Sequence, residues 1–219
     1  MRKVTDIYEQ YRIPPQLQLH QLRVASVASM IVDAFEGVLE RERIVTTCLF
    51  HDMGNIVKFN FDQFPDSFLG SKPRTYWEAV KAEFTAKYGT DAHEANLAIA
   101  SELWLSEDIR SLMDGISFAN LLTTQTLDSF EEKICEYADL RVGPYGVIPL
   151  EARIQDIHDR YSGGRSIEVP THAEDFDELR AAAYEVERQI FSRARITPLD
   201  ITDVSVAPLI EELKKYTIA

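Results

Sequence analysis

The chain has 219 residues with 45% hydrophobic and 27% charged side chains, and its 23 Lys+Arg against 36 Asp+Glu leave a formal net charge of −13. That length and composition fit one large soluble domain, or one domain with an appendage. The acidic balance argues against a protein that coats nucleic acid through a basic surface, and no apolar run approaches the ~20 residues of a membrane helix.

The start, "MRKVTDIYEQYRIPP", is basic but lacks an apolar stretch of signal-peptide length, so a cytoplasmic protein is expected. After a short first helix, Pro14-Pro15 opens a helix that runs to about Phe35. There His20, Val24, Val27 and Ile31 recur at helical spacing, which turns a histidine inward, with Arg23 close to the same face. A helix from about Glu40 to Asp52 places Ile44, Cys48 and His51 on one face and Val45, Leu49 and Asp52 on its neighbour, with Gly54-Asn55 as its stop. The following "FNFDQFPDSFLGSKP" reads as a loop, and Phe59, Phe61, Phe64 and Phe68 with Trp77 are candidates to line a pocket.

Pro73 starts a helix that stops at Gly89, and Thr90 is expected to cap a helix with His93, Leu97 and Ala100 on its inner face. Ser106 is expected to cap "EDIRSLMDGISFANLL", read as one helix. In "SFEEKICEYADLRV", Ile134, Cys135, Ala138 and Asp139 face inward. Pro149 begins a helix through about Tyr161, "RSIEV" is a weak strand candidate, and helices near Phe176–Arg193 and Ala207–Tyr216 close the chain. The expected fold class is all-α: a helical bundle over residues 1–161 with a small helical extension, residues 162–219, packed on it. Cys48 and Cys135, the two cysteines, read as buried small hydrophobes.

Collected in order, His20, His51, Asp52 and Asp139 stand on three helices where apolar faces would otherwise continue. Two imidazoles and two carboxylates make a mixed nitrogen and oxygen donor set suited to a transition metal. A second His-Asp pair, His158-Asp159, lies in a charged helix end with no inward histidine before it and reads as surface. A zinc-protease reading is poor, because His93-Glu94 is followed by Leu97 where H-E-x-x-H requires histidine.

"LHQLRVASVASMIV", "TTCLFHDMGN" and "CEYADLRVG", in that order, resemble the HD-domain superfamily of metal-dependent phosphohydrolases. The resemblance covers roughly Leu17 to Tyr161. It implies a divalent metal (Mn, Fe, Co, Ni, Zn or Mg) held by His20, His51, Asp52 and Asp139, and a metal-activated water attacking a nucleotide or other small phosphate ester. Asp52 would then also serve as proton acceptor, and Arg23, Lys58, His93 and Arg141 are the candidates to meet substrate, Arg23 also as a catalytic group. Two departures stand out. Asn55 occupies a position where many members carry lysine, and of the further histidines expected for a second metal only His93 is present. Those departures leave open an alternative, a weakly active or inactive module with a structural metal and a regulatory role.

Overall fold

The computed structural model describes residues 1–63, 69–162 and 173–218. Phe64, Phe68 and the strand candidate at 165–169 lie outside them. The chain is all-α. Its helices are α1 (Val4–Gln10), α2 (Pro15–Ala34), α3 (Arg41–Phe50), α4 (Arg74–Tyr88), α5 (Ala92–Glu102), α6 (Glu107–Gly115), α7 (Leu121–Thr124), α8 (Phe130–Leu140), α9 (Leu150–Ser162), α10 (Ala173–Phe191) and α11 (Asp203–Leu213). Two short strands, β1 (Arg2–Lys3) and β2 (Thr217–Ile218), pair antiparallel and bring the two ends of the described chain together.

Helix boundaries follow local chemistry. Pro15 opens α2 where its missing N–H costs nothing. Ser106 caps α6 by accepting from the Ile109 N–H, as expected. The cap of α5 is Asp91 rather than Thr90: its carboxylate accepts from the N–H groups of both His93 and Glu94, and an anion there also suits the helix dipole. The inner face of α5 is correspondingly Ala92, Ala95, Asn96, Ile99 and Ala100, with His93 and Leu97 at its edge.

Two helices end sooner than their apolar patterns suggest. Instead of continuing to Asp52, α3 stops at Phe50 and gives way to tighter turns, in which the Met53 N–H donates to the Phe50 carbonyl and the Asn55 N–H to the Asp52 carbonyl. Instead of running on to Leu122, α6 stops at Gly115. Ser117 is extended at φ −166° and ψ 134°, its N–H is held at 2.6 Å by the buried Glu136 carboxyl, and its Oγ accepts from the Ala119 N–H. Both breaks fall beside the cavity described below.

Helix α8 lies at the centre, with Ile134, Cys135, Tyr137, Ala138 and Leu140 essentially inaccessible, and it packs against α2, α3, α6 and α10. Helices α2 and α3 form the largest helix pair. The chain beyond α9 joins the same apolar core: α10 packs on α7 and α8, and α11 on α2. Arg141, one residue past α8, ties these parts together. It is buried and donates to the carbonyls of Ile148, Pro198 and Ile201 and to the Tyr137 hydroxyl. Cys48 on α3 and Cys135 on α8 are both free and buried, and the neighbouring Cys48 together with burial pushes the Cys135 thiol well above its ordinary value. Among the described residues, no helix is long and apolar enough to cross a membrane.

Candidate metal centre

His20 projects from the second turn of α2, His51 and Asp52 from the turn after α3, and Asp139 from the last turn of α8. Their side chains converge. His20 Nε2 lies 3.0 Å from Asp139 Oδ1 and 3.5 Å from Asp52 Oδ2, while His51 Nε2 lies 3.4 Å and 3.7 Å from the same two atoms. The two imidazole rings are 5.5 Å apart, centre to centre.

The turn carrying His51 and Asp52 is fixed by groups that no motif announces. Gln21, fully buried beside His20, accepts from the Asp52 N–H at 3.3 Å, and Asn96 of α5 accepts from the Gly54 N–H at 2.5 Å. Gly54 stands here for close approach more than for helix termination. A Cβ at this position would lie 2.6 Å from the Ala95 Cβ and 2.8 Å from the Asn96 backbone nitrogen. Gly54→Ala is therefore expected to cost about 1–3 kcal/mol by overpacking and to weaken metal binding, because α5 and the ligand turn must separate. Chemical unfolding and metal titration of that variant measure both effects.

These residues fit a divalent cation. The potential ligand atoms of His20, His51 and Asp52 lie within 4.8 Å of one another. His51 Nδ1 lies 2.8 Å from the Cys48 carbonyl, so the Nδ1–H donates there and Nε2 is turned towards the carboxylates. That Nε2 is buried and makes no well-aligned hydrogen bond among the described residues, its nearest acceptor being Asp139 Oδ1 at 3.4 Å. A buried nitrogen so weakly partnered is better satisfied by a coordinating ion. With metal–ligand bonds of about 2.1 Å, neighbouring ligand atoms stand roughly 3.0–3.4 Å apart in octahedral or tetrahedral sites, close to the spacings seen here.

Without an ion the cluster holds its protons unusually. Burial alone would lower the His51 pKa, but Asp52 and Asp139 outweigh it and raise the value to about 9. Burial pushes the Asp139 carboxyl up, and contacts with His20 and His51 overcome that and hold it well below the ordinary carboxylate value. One turn before it, Glu136 is 1% exposed. Burial, together with the Asp139 charge, raises its carboxyl to about 8, opposed by the Ser117 N–H.

The cluster opens onto a cavity of about 840 Å³. Lys58 and His93 line it; Lys58 is exposed and His93 Nε2 is 2.6 Å from Asp114 Oδ1. Phe59 and Phe61, in edge-to-face contact at 6.0 Å, form part of its wall with Phe118 and Leu69. Trp77 does not line it; its indole N–H donates to the Leu69 carbonyl from behind.

Two arginines expected at the substrate stand elsewhere. Arg23 is absent from the cavity lining and turns towards α11, with its Nε 3.7 Å from Asp203 Oδ1. Arg141 is also absent from the lining, and its guanidinium is engaged in the interior contacts given above. Nearness in sequence to His20 and Asp139 suggested both, and it does not say which neighbouring element each side chain meets. His158 and Asp159 are surface residues with side chains 51% and 67% exposed, as their charged context suggests. Arg153 of α9, by contrast, lines the cavity and was not singled out by its sequence. Its signal was faint, a cation within the Leu150, Ile154, Ile157 stripe. No family model, curated protein or solved structure matches this chain.

Proposed function

We infer that the chain is a metal-dependent phosphohydrolase acting on a nucleotide or another small phosphate ester. The observation that carries this reading is the convergence of His20, His51, Asp52 and Asp139 on one side of a cavity of about 840 Å³, a size suited to a small-molecule ligand. The ordered H…HD…D pattern, which resembles the HD-domain superfamily, supplies the reaction class. His20, His51 and Asp52 would hold the ion, with Asp139 as fourth ligand.

When bound, a divalent ion supplies Lewis acidity at the phosphoryl group and at the attacking water. The protein's own groups do the rest. Asp52, which is partly open and lines the cavity, would accept the proton of that water. The Cys48 carbonyl holds the His51 ring, and Gln21 and Asn96 hold the turn, so the donor set is organised before substrate arrives. Phe59, Phe61 and Phe118 offer apolar and aromatic surface to the part of the substrate beyond the phosphate.

The test is phosphate release from a panel of nucleotides and sugar phosphates with added Mn, Co, Ni, Zn or Mg. Metal-dependent release is expected from at least one substrate. Stoichiometric metal binding without phosphate release from any phosphomonoester, and without cleavage of any phosphodiester to its monoester as read by chromatography, would overturn the enzymatic reading and leave a metal-bearing regulatory module.

A further inference from the structure

We propose that Arg153 is the substrate-phosphate anchor of this cavity, in the place that the sequence pattern gave to Arg23 and Arg141. The proposal rests on the phosphohydrolase reading and deepens it by naming the group that takes the phosphoryl oxygens.

Three observations lead there. First, Arg153 is the one arginine among the described residues lining the cavity that also contains His20, His51, Asp52 and Asp139. Second, its guanidinium is incompletely satisfied. The side chain is 13% exposed, one terminal nitrogen donates to Asp156 at 2.7 Å, and Nε is buried with no hydrogen-bond partner among the described residues. A guanidinium offers five donors in a planar fork, and a phosphoryl group accepts two of them side by side. Third, α9, whose first turn carries Arg153, packs against α8, whose last turn carries Asp139, and both residues line the same cavity.

The other cations are less suited. Arg141 spends four of its five donors on backbone carbonyls and a hydroxyl in the interior, and Arg23 is turned towards Asp203. Lys58 sits exposed, and His93 is already paired with Asp114. An anchored phosphoryl group would meet Arg153 at one side and the carboxylate–imidazole cluster at the other. The remainder of the ligand would lie against Phe59, Phe61 and Phe118.

The experiment uses the full chain loaded with Mn and measures inorganic phosphate binding by calorimetry, alongside kcat and KM on the best substrate of the panel. Arg153→Gln is expected to weaken phosphate binding at least tenfold and to raise KM, with manganese affinity and melting temperature nearly unchanged. Arg153→Lys, which keeps the charge but not the fork, is expected to recover part of the loss. If the parent protein binds phosphate and both variants bind it equally well, Arg153 is not the anchor, while the phosphohydrolase reading stands. If the parent binds manganese but neither binds phosphate nor hydrolyses any phosphomonoester or phosphodiester, that reading fails and this proposal falls with it. Should Arg153→Gln not fold, Arg153→Lys decides alone: undiminished phosphate affinity and unchanged KM overturn the assignment.

Discussion

Asp52→Ala is expected to lower metal-dependent phosphate release by at least ~1,000-fold, a barrier increase of about 4 kcal/mol, while leaving a folded protein. Its carboxylate faces both imidazoles, at 3.5 Å from His20 and 3.7 Å from His51, so its loss removes a ligand together with the candidate proton acceptor. The path of the backbone does not depend on that side chain. The structural contacts of residue 52 are made by its backbone, whose N–H donates to Gln21 and whose carbonyl accepts from the Asn55 N–H. Alanine preserves both. Removing Asp52 also takes away one of the two anions that raise the His51 pKa, so a buried imidazolium becomes less favoured in the variant. Circular dichroism of the metal-free variant is expected to stay near that of the parent, and its melting temperature to fall by no more than the share of the His51 stabilisation that Asp52 supplies, while metal binding measured by titration weakens. A variant that keeps full turnover would remove Asp52 from the chemistry. One that loses its fold even without metal would give it a structural role instead.

The helical plan was legible because most helices present a stripe of apolar residues at helical spacing, and Pro15, Ser106 and Gly89 punctuate them in the usual way. What could not be read was where a stripe continues without its helix. His51, Asp52, Ile116 and Phe118 extend the apolar patterns of α3 and α6, yet the backbone leaves both helices because Gln21, Asn96 and Glu136 capture N–H groups from elsewhere in the chain. Those three partners lie 19 to 42 residues away in sequence. The pairing of β1 with β2 was hidden for a similar reason, since two-residue strands carry no period. The inward-facing histidines and aspartates were visible as polar interruptions of apolar faces. The cations were not, because Arg23, Arg141 and Arg153 differ in which neighbouring element they meet, a property of the packing alone.

Metal-free protein is expected to be most stable near pH 5 and to lose several kcal/mol by pH 9, and a divalent ion is expected to remove most of that loss. His51 titrates at about 9 in the fold against an ordinary value of 6.5. Its proton therefore favours the folded state; that contribution is complete below about pH 6.5 and disappears as pH rises through 9. At about 1.4 kcal/mol per pKa unit it is on the order of 3 kcal/mol. Glu136 works in the same direction. Its carboxyl is raised from 4.5 to about 8, so the fold prefers it protonated and is penalised progressively as pH rises between those values. Asp139 has the opposite sign: its depressed pKa stabilises the fold above the ordinary carboxylate value, and that contribution is lost in strong acid. The optimum thus lies above the range where Asp139 takes up a proton and below the range where His51 and Glu136 give theirs up. A coordinated cation takes the place of the His51 proton and offsets the charges of Asp52 and Asp139. Metal binding must therefore release protons and tighten as pH rises towards 9. Melting temperatures at pH 5.5 and 8.5, with chelator and with saturating Mn or Zn, measure the effect. The rise on adding metal should be clearly larger at pH 8.5. An equal rise at both values, or a chelated protein equally stable at both, would contradict a buried imidazolium held between two carboxylates at this site.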